Sequence, residues 1–177
     1  MTESSSYGSD LKMNTNIVVA TISDVPEILS FIKDLAIFEK LEHEMQVTEL
    51  ALTETLFGPK KYAEVIFLEA NGTRVGFALF FHTYSTFLGK PGLYLEDLYV
   101  RTEYRGRGYG KRLLSYLAKI AVERNCGRLE WSVLDWNKEA IDFYLRLGAE
   151  PMNEWTVHRV TGDALRTLSE LAVDGRT

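Results

Sequence analysis

The sequence predicts a mixed α/β fold in a single domain, and three features carry that expectation. Asn71-Gly72, a two-residue type I′ turn signal, joins two runs rich in apolar and aromatic residues, 63–70 and 73–83, which makes them an antiparallel hairpin. From about residue 108 to residue 125, Leu113, Leu114, Leu117, Ile120 and Ala121 fall on one helical face. After the hairpin the pattern runs strand, helix, strand, helix, strand, which is α/β alternation. A chain of 177 residues favours one domain and can bury a core without a disulfide or metal staple.

Taken in order, residues 1–15 are Ser-rich, polar and without periodicity, and are expected to form a disordered tail. The folded domain is expected over 16–172, with a short C-terminal tail at 173–177. Ile17 to Ala20 is a β-branched, apolar run and reads as a first strand. Ser23 or Asp24 can cap the next helix, with Pro26 in its first turn, where the missing N–H does no harm. Ile28, Leu29, Ile32, Leu35 and Ala36 then follow helical spacing. Thr48 can cap a second, shorter helix ending at Gly58-Pro59. After the hairpin, 89–92 reads as a turn, 92–100 as a fourth strand and 128–133 as a fifth. Residues 137–147 form a helix with Ala140, Ile141, Tyr144 and Leu147 on one face, closed by Gly148. Residues 154–160 read as a last strand and 163–171 as a last short helix.

Composition narrows the function classes. Apolar content of 46% and charged content of 25% are ordinary for a soluble globular protein. A net charge of −5 argues against nucleic-acid binding, which rests on basic patches, and is compatible with cationic substrates. One cysteine, Cys126, allows no internal disulfide and fits a cytoplasmic address. Met1 to Asp10 lacks the pattern of a secretory signal. No apolar run approaches the roughly 20 residues of a membrane helix, so no membrane partner is expected. His43, His82 and His158 show no metal-ligand spacing, so no metal is expected.

The strongest chemical signal is Arg105-Gly106-Arg107-Gly108-Tyr109-Gly110, set between a strand and an amphipathic helix. Glycines let the backbone approach a ligand, and a helix start offers unpaired N–H groups with a favourable dipole. With two arginines beside them, this makes a site for a diphosphate. A Rossmann fingerprint does not fit, because the third glycine, Gly110, arrives one residue early. A Walker A loop does not fit either: three residues separate Gly106 from Gly110, and Lys111 is followed by Arg112. The loop does resemble R/Q-x-x-G-x-G/A, the pyrophosphate loop of the GNAT acetyltransferases.

Further motifs carry that resemblance through residues 17–171. Tyr94-Leu95-Glu96-Asp97-Leu98-Tyr99-Val100 resembles the fourth-strand motif of the diamine (spermidine/spermine) acetyltransferases and their thialysine acetyltransferase relatives. Leu134-Asp135-Trp136-Asn137 and Phe143-Tyr144 resemble the second half of that family's site. Phe38-Glu39-Lys40-Leu41 and the segment Tyr84 to Lys90 resemble the thialysine branch more closely. The resemblance implies a GNAT fold, a mixed central sheet with splayed fourth and fifth strands flanked by helices. It also implies acetyl-CoA as co-substrate, a primary amine on a small cationic molecule as acceptor, and a homodimer.

Acetyl transfer to an amine has three needs. The amine must be neutral when it attacks, although a free alkylamine has a pKa of about 10.4. The developing oxyanion needs a donor, and the departing thiolate leaves more easily if protonated. Glu96 and Asp97 interrupt an apolar strand. Adjacent strand residues point to opposite faces, which assigns these two different jobs. The resemblance places Glu96 at the substrate amine as base, directly or through water, with Asp97 on the substrate side. It gives the proton-donor role to Tyr144, whose phenol stays protonated at neutral pH. It sets main-chain groups of Leu98, Tyr99 and Val100 along the cofactor, with the oxyanion donor near Leu98. The diphosphate falls to the segment from Arg105 through Gly106, Arg107, Gly108, Tyr109 and Gly110 to Lys111, and Asn137 and Tyr144 complete the cofactor set.

Phe38, Glu39 and Glu154 correspond to substrate-contacting positions, Glu39 for the distal ammonium of a diamine. Polyamine enzymes carry tyrosine where this chain has Phe38, which weighs against spermidine and spermine. Two other readings stay open: a protein or peptide N-acetyltransferase, and a non-catalytic acyl-CoA-binding module. Asn137 also reads as a helix cap, and Tyr144 also lies on its helix's apolar stripe.

Overall fold

The computed structural model describes residues 14–172. The tails expected over 1–15 and 173–177 lie outside the described residues, except for Asn14 and Thr15. The chain divides into two compact units, meeting at Ser132 and Val133.

The first unit carries one sheet of five strands: β1 (Thr15–Val19), β2 (Glu64–Ala70), β3 (Thr73–Ser85), β4 (Lys90–Val100) and β5 (Leu129–Trp131). Their spatial order is the sequence order. The first four run antiparallel, and β5 lies parallel to β4. Three helices accompany the sheet: α1 (Val25–Glu39), α2 (Glu49–Phe57) and α3 (Tyr109–Glu123).

Asp24 occupies the position before α1 with Pro26 in the first turn, but it makes no side-chain cap bond to the helix: its carboxylate accepts the Thr21 N–H instead. The Thr48 side chain accepts the Ala51 N–H at the start of α2. The expected hairpin forms at Asn71-Gly72, both at positive φ. The turn after β3 comes earlier than 89–92: it occupies residues 86–89, so β3 runs to Ser85 and β4 begins at Lys90. Pro91 and Gly92 sit inside the ladder, paired with Tyr84 and Thr83. The fifth strand is shorter than 128–133.

α1 and α2 cover one face of the sheet. Val25, Ile28 and Phe31 of α1 and Leu52 and Leu56 of α2 pack on Val65, Phe67, Phe77 and Tyr99. Two arginines fasten α1 to this face. Arg74 pairs with Asp24 at 2.7 Å, and Arg101 with Glu27 at 3.3 Å and Asp34 at 3.4 Å. Their guanidinium carbons each stand 4.3 Å from a ring centroid, Phe67 and Phe31 respectively. α3 takes the opposite face with its apolar stripe, Leu113, Leu114, Leu117 and Ala121. A Cβ on Gly76 of β3 would be crowded there, 3.0 Å from the Tyr99 carbonyl oxygen and 3.2 Å from the Leu113 side chain.

The second unit holds α4 (Lys138–Arg146) and α5 (Gly162–Glu170). Asn137 caps α4, its Oδ1 accepting the Ala140 N–H at 3.2 Å. Gly148 follows at φ +86°, as a helix-terminating glycine does. The strand expected over 154–160 is not formed. Apolar and β-branched composition favours extended backbone only where a partner ladder accepts it, and no described strand pairs with this segment. Among the described residues no helix is long and apolar enough to cross a membrane.

Candidate active site

Two features of β4 set up the site. The ladder to β5 runs from Leu93 to Leu95 and stops. At the same level the ladder to β3 slips: Leu79 pairs with Asp97 and Phe80 with Leu95, so Glu96 is an extra residue, a β-bulge. The bulge reverses the strand's parity. Leu93 and Leu95 pair with His82 and Phe80, and Leu98 and Val100 with Ala78 and Gly76, all on the α3 face. Counting inward from Leu95 and from Leu98 puts both Glu96 and Asp97 on the other face, that of α1. The expectation that these neighbours point to opposite faces is therefore corrected. An extra residue cancels the alternation on which it rested.

The electrostatics agree with this placement. Asp97 is half-buried, and its carboxyl is pushed up to about 7, first by burial, then by the charges of Glu96 and Glu39. Glu39, the last residue of α1, is also raised, by burial. Glu96 is exposed. Three carboxylates thus share one end of the α1 face, and one of them is poised near neutrality.

The glycine-rich loop lies between β4 and α3. Gly106 and Gly108 adopt φ +74° and +78°, and a Cβ built on either would meet nothing within 4 Å. Both residues are exposed. Gly108 is the cap residue of α3 and offers no side-chain acceptor to the first N–H groups of the helix. No acidic residue lies in that first turn, and Lys111 stands exposed there. A 15-residue helix opening without a side-chain cap, with a lysine in its first turn and open space at Gly106 and Gly108 before it, suits an anionic group such as a diphosphate.

The arginines and the remaining site residues are placed as follows. Arg107 is exposed, its Nη2 donating to the Glu103 carbonyl at 3.3 Å. Arg105 points along the α1 face, where its Nε donates to the Val100 carbonyl at 3.0 Å. Its guanidinium carbon lies 4.1 Å from the Phe38 ring centroid and 5.1 Å from that of Tyr99. Phe38 and Tyr99 stand 6.1 Å apart between centroids. Phe38, expected at the substrate, is thus also part of a stack that joins the end of α1 to β4 and the loop. The Leu98 side chain approaches Gly110, and Tyr99 and Val100 are buried. Leu98 itself is half-buried. Tyr109 is buried as well.

In the second unit, Tyr144 lies on α4 with its ring 5.2 Å from that of Phe143. Asn137 serves as the cap it also resembled in sequence. Glu154 is exposed in a segment without regular structure.

The bulge was readable in the sequence and was missed. Apolar residues at 93 and 95 switch to 98 and 100, a one-residue slip in a period of two. The Arg105 stack has no such signal.

Comparison with known proteins adds the family. A family model described as the acetyltransferase (GNAT) family matches residues 29–149. L-ornithine N5-acetyltransferase from Arabidopsis thaliana is 35% identical, over 92% of this chain and 91% of that protein. Thialysine N-epsilon-acetyltransferase from Mus musculus is 38% identical, over 88% of this chain and 98% of that protein. Among solved structures, an integron cassette protein from the mobile metagenome of V. cholerae superposes with a TM-score of 0.76 at 25% identity, covering 89% of this chain and 99% of that one.

Proposed function

Because the chain belongs to the GNAT acetyltransferase family, we propose that it moves an acetyl group from acetyl-CoA to a primary amine of a small cationic molecule. The acceptor class is a diamine, a polyamine, or an amino acid with a side-chain amine such as thialysine, lysine or ornithine. The observation that carries this reading is the carboxylate group on the α1 face: Glu39, Glu96 and Asp97 gather negative charge where a small cation needs it. Relatives named for thialysine and ornithine acetylation support the same class. The loss of a tyrosine hydroxyl at Phe38 makes an amino-acid amine the favoured acceptor over spermidine and spermine.

Each part of the chain then has a task. Main-chain N–H groups of the segment Gly106 to Lys111 hold the diphosphate, with Arg107 and Lys111 adding charge. Arg105 contributes its main chain there while its side chain braces Phe38. Main-chain groups of Leu98, Tyr99 and Val100 receive the pantetheine arm beyond the end of the β4–β5 ladder. A carboxylate of β4 accepts the amine's proton, the role the resemblance gives to Glu96. Tyr144 gives a proton to the departing thiolate, and Asn137 and Glu154 complete the cofactor and substrate sets. Residues 16–172 form the working domain. A cytoplasmic homodimer is part of the same proposal; exposed Trp155, Val157, Leu165, Leu168 and Leu171 offer apolar surface for the partner.

The test is an acetyl-CoA activity screen over spermidine, putrescine, ornithine, lysine, thialysine and a histone-tail peptide. Turnover of one or more of the small amines with none on the peptide is the expected result. Preferential turnover of the peptide establishes a protein acetyltransferase instead. CoA binding with no turnover on any amine establishes a binding module.

A further inference from the structure

We propose that Asp97, rather than Glu96, is the catalytic residue that takes the proton from the attacking amine, while Glu96 and Glu39 hold the substrate's positive charge. This rests on amine acetylation as the activity. The geometry of the bulge separates the two roles. Both carboxylates lie on the α1 face, just past the point where β5 leaves β4. Glu96, the extra residue, is exposed, so it meets a cation arriving from solvent. Asp97 is back in the ladder opposite Leu79, half-buried, and its backbone is held by the β3 pairing. A proton acceptor works best where its position is fixed and water is thinned, and of the pair only Asp97 meets both conditions.

The charged surroundings of Asp97 bear on its strength as a base. Glu96 stands beside it on β4 and Glu39 reaches it from α1, and both are anionic. Its partner on β3, Leu79, carries no charge. The cations described on this face are Arg74 and Arg101, paired with Asp24, Glu27 and Asp34, and Arg105, engaged with Phe38, Tyr99 and the Val100 carbonyl. Burial and two like charges hold the carboxyl near 7, so at neutral pH it is both substantially ionised and a better base than an ordinary carboxylate.

The protons balance. The substrate ammonium gives one proton to the Asp97 carboxylate and becomes a neutral amine. Its lone pair forms the C–N bond to the thioester carbonyl carbon, and the C–S bond breaks with its electrons on sulfur. The second proton lost from nitrogen matches the one gained by the thiolate, and Asp97 later returns its proton to solvent. The products are the amide, the free thiol and one proton.

The experiment measures kcat/KM for the best amine of the screen from pH 5.5 to 10, at saturating acetyl-CoA, in the full-length wild type, Asp97→Asn and Glu96→Gln. The wild type is expected to show an acid limb near pH 7. Asp97→Asn is expected to lose that limb and about 10²–10⁴-fold of the rate at pH 7.5, recovering in part at high pH where the amine supplies its own neutral form. Glu96→Gln is expected to keep the limb and to raise KM for the amine. An acid limb retained in Asp97→Asn overturns the proposal, as does a limb lost in Glu96→Gln alone. Thermal melting and acetyl-CoA calorimetry report folding separately. If Asp97→Asn does not fold, Asp97→Glu takes its place: a displaced limb supports the assignment, and an unmoved limb overturns it. A wild type without turnover on any amine refutes the proposed function instead, so the two failures are distinguishable.

Discussion

Gly108 and Gly72 provide a matched pair for testing the cofactor loop. Both adopt φ +78°, and a Cβ built on either meets nothing within 4 Å. Valine at either position therefore imposes backbone strain without a clash. For an L-residue held in the left-handed region that strain is about 1–2 kcal/mol, and a β-branched residue sits at the upper end. In a chain of this size each kcal/mol lowers Tm by about 2–4 °C, so both variants should melt about 2–8 °C early. Their ligand affinities should diverge. Gly72 sits at the tip of the β2–β3 hairpin, whereas Gly108 caps α3 beside the proposed diphosphate site. Losing one charge-assisted hydrogen bond from the loop is worth about 1.5–3 kcal/mol, which raises Kd for acetyl-CoA roughly 10- to 150-fold. Titration calorimetry with acetyl-CoA and thermal melting of both variants make the measurement. Wild-type affinity in Gly108→Val would remove the loop from cofactor binding. An equal loss in Gly72→Val would show that strain alone accounts for the effect.

Three further outcomes are expected. Tyr144→Phe keeps the ring and removes the hydroxyl, so kcat should fall about 10²–10⁴-fold across pH 6–10 while acetyl-CoA affinity holds; near wild-type rates would exclude a proton-donor role. Asp97 should leave a mark on stability. Its folded pKa of about 7 exceeds the ordinary carboxyl value of 3.8, so the native state prefers the protonated form. Its destabilising effect is absent below about pH 3.8, grows as pH rises towards 7 and is complete above that, at most about 4 kcal/mol. Asp97→Asn should therefore gain stability against urea at pH 8 and little at pH 4, and equal gains at both would contradict the burial of this carboxyl. Light scattering at micromolar concentration should give the mass of a dimer, and a monomeric mass would contradict the proposed assembly.

The elements most legible in the sequence were those whose signals are local. Thr48 and Asn137 cap helices with their own side chains, and Asn71-Gly72 makes its turn with its own backbone preferences. The stripe of α3 needs only its 3.6-residue period. Legibility fell where structure depends on distant partners. The apolar residues from Glu154 to Val160 look like a strand, yet no ladder among the described strands receives them. Pro91 and Gly92 look like a turn, yet β3 is long enough to pair with them. The spacing of the glycines predicts a loop with left-handed positions, and Gly106 and Gly108 adopt them. The direction of Arg105 was not readable, because it is decided by Phe38, 67 positions earlier in the chain and brought close only by the packing of α1 on the sheet.

The bulge connects that limit to the chemistry. In a regular strand, Glu96 and Asp97 would point to opposite faces, one towards α1 and the other into the apolar stripe of α3. There a carboxylate would stand against the apolar stripe of Leu113, Leu114 and Leu117, at a cost of several kcal/mol or a lost charge. One inserted residue removes that conflict and sends both side chains to the side where α1 ends in Glu39. The same insertion brings three like charges together, which destabilises the fold as the pH rises and strengthens Asp97 as a base. A stability-optimised strand would carry an apolar residue at position 97. Retaining aspartate there makes sense if the cation that would relieve the repulsion is the substrate. The amine's second charge would then be felt twice, in binding and in the acidity of the group that takes its proton. A monoamine of the same reach, which lacks the second charge, should lose both effects, and the difference in acid-limb position between the two substrates measures how far the carboxylates act as one unit.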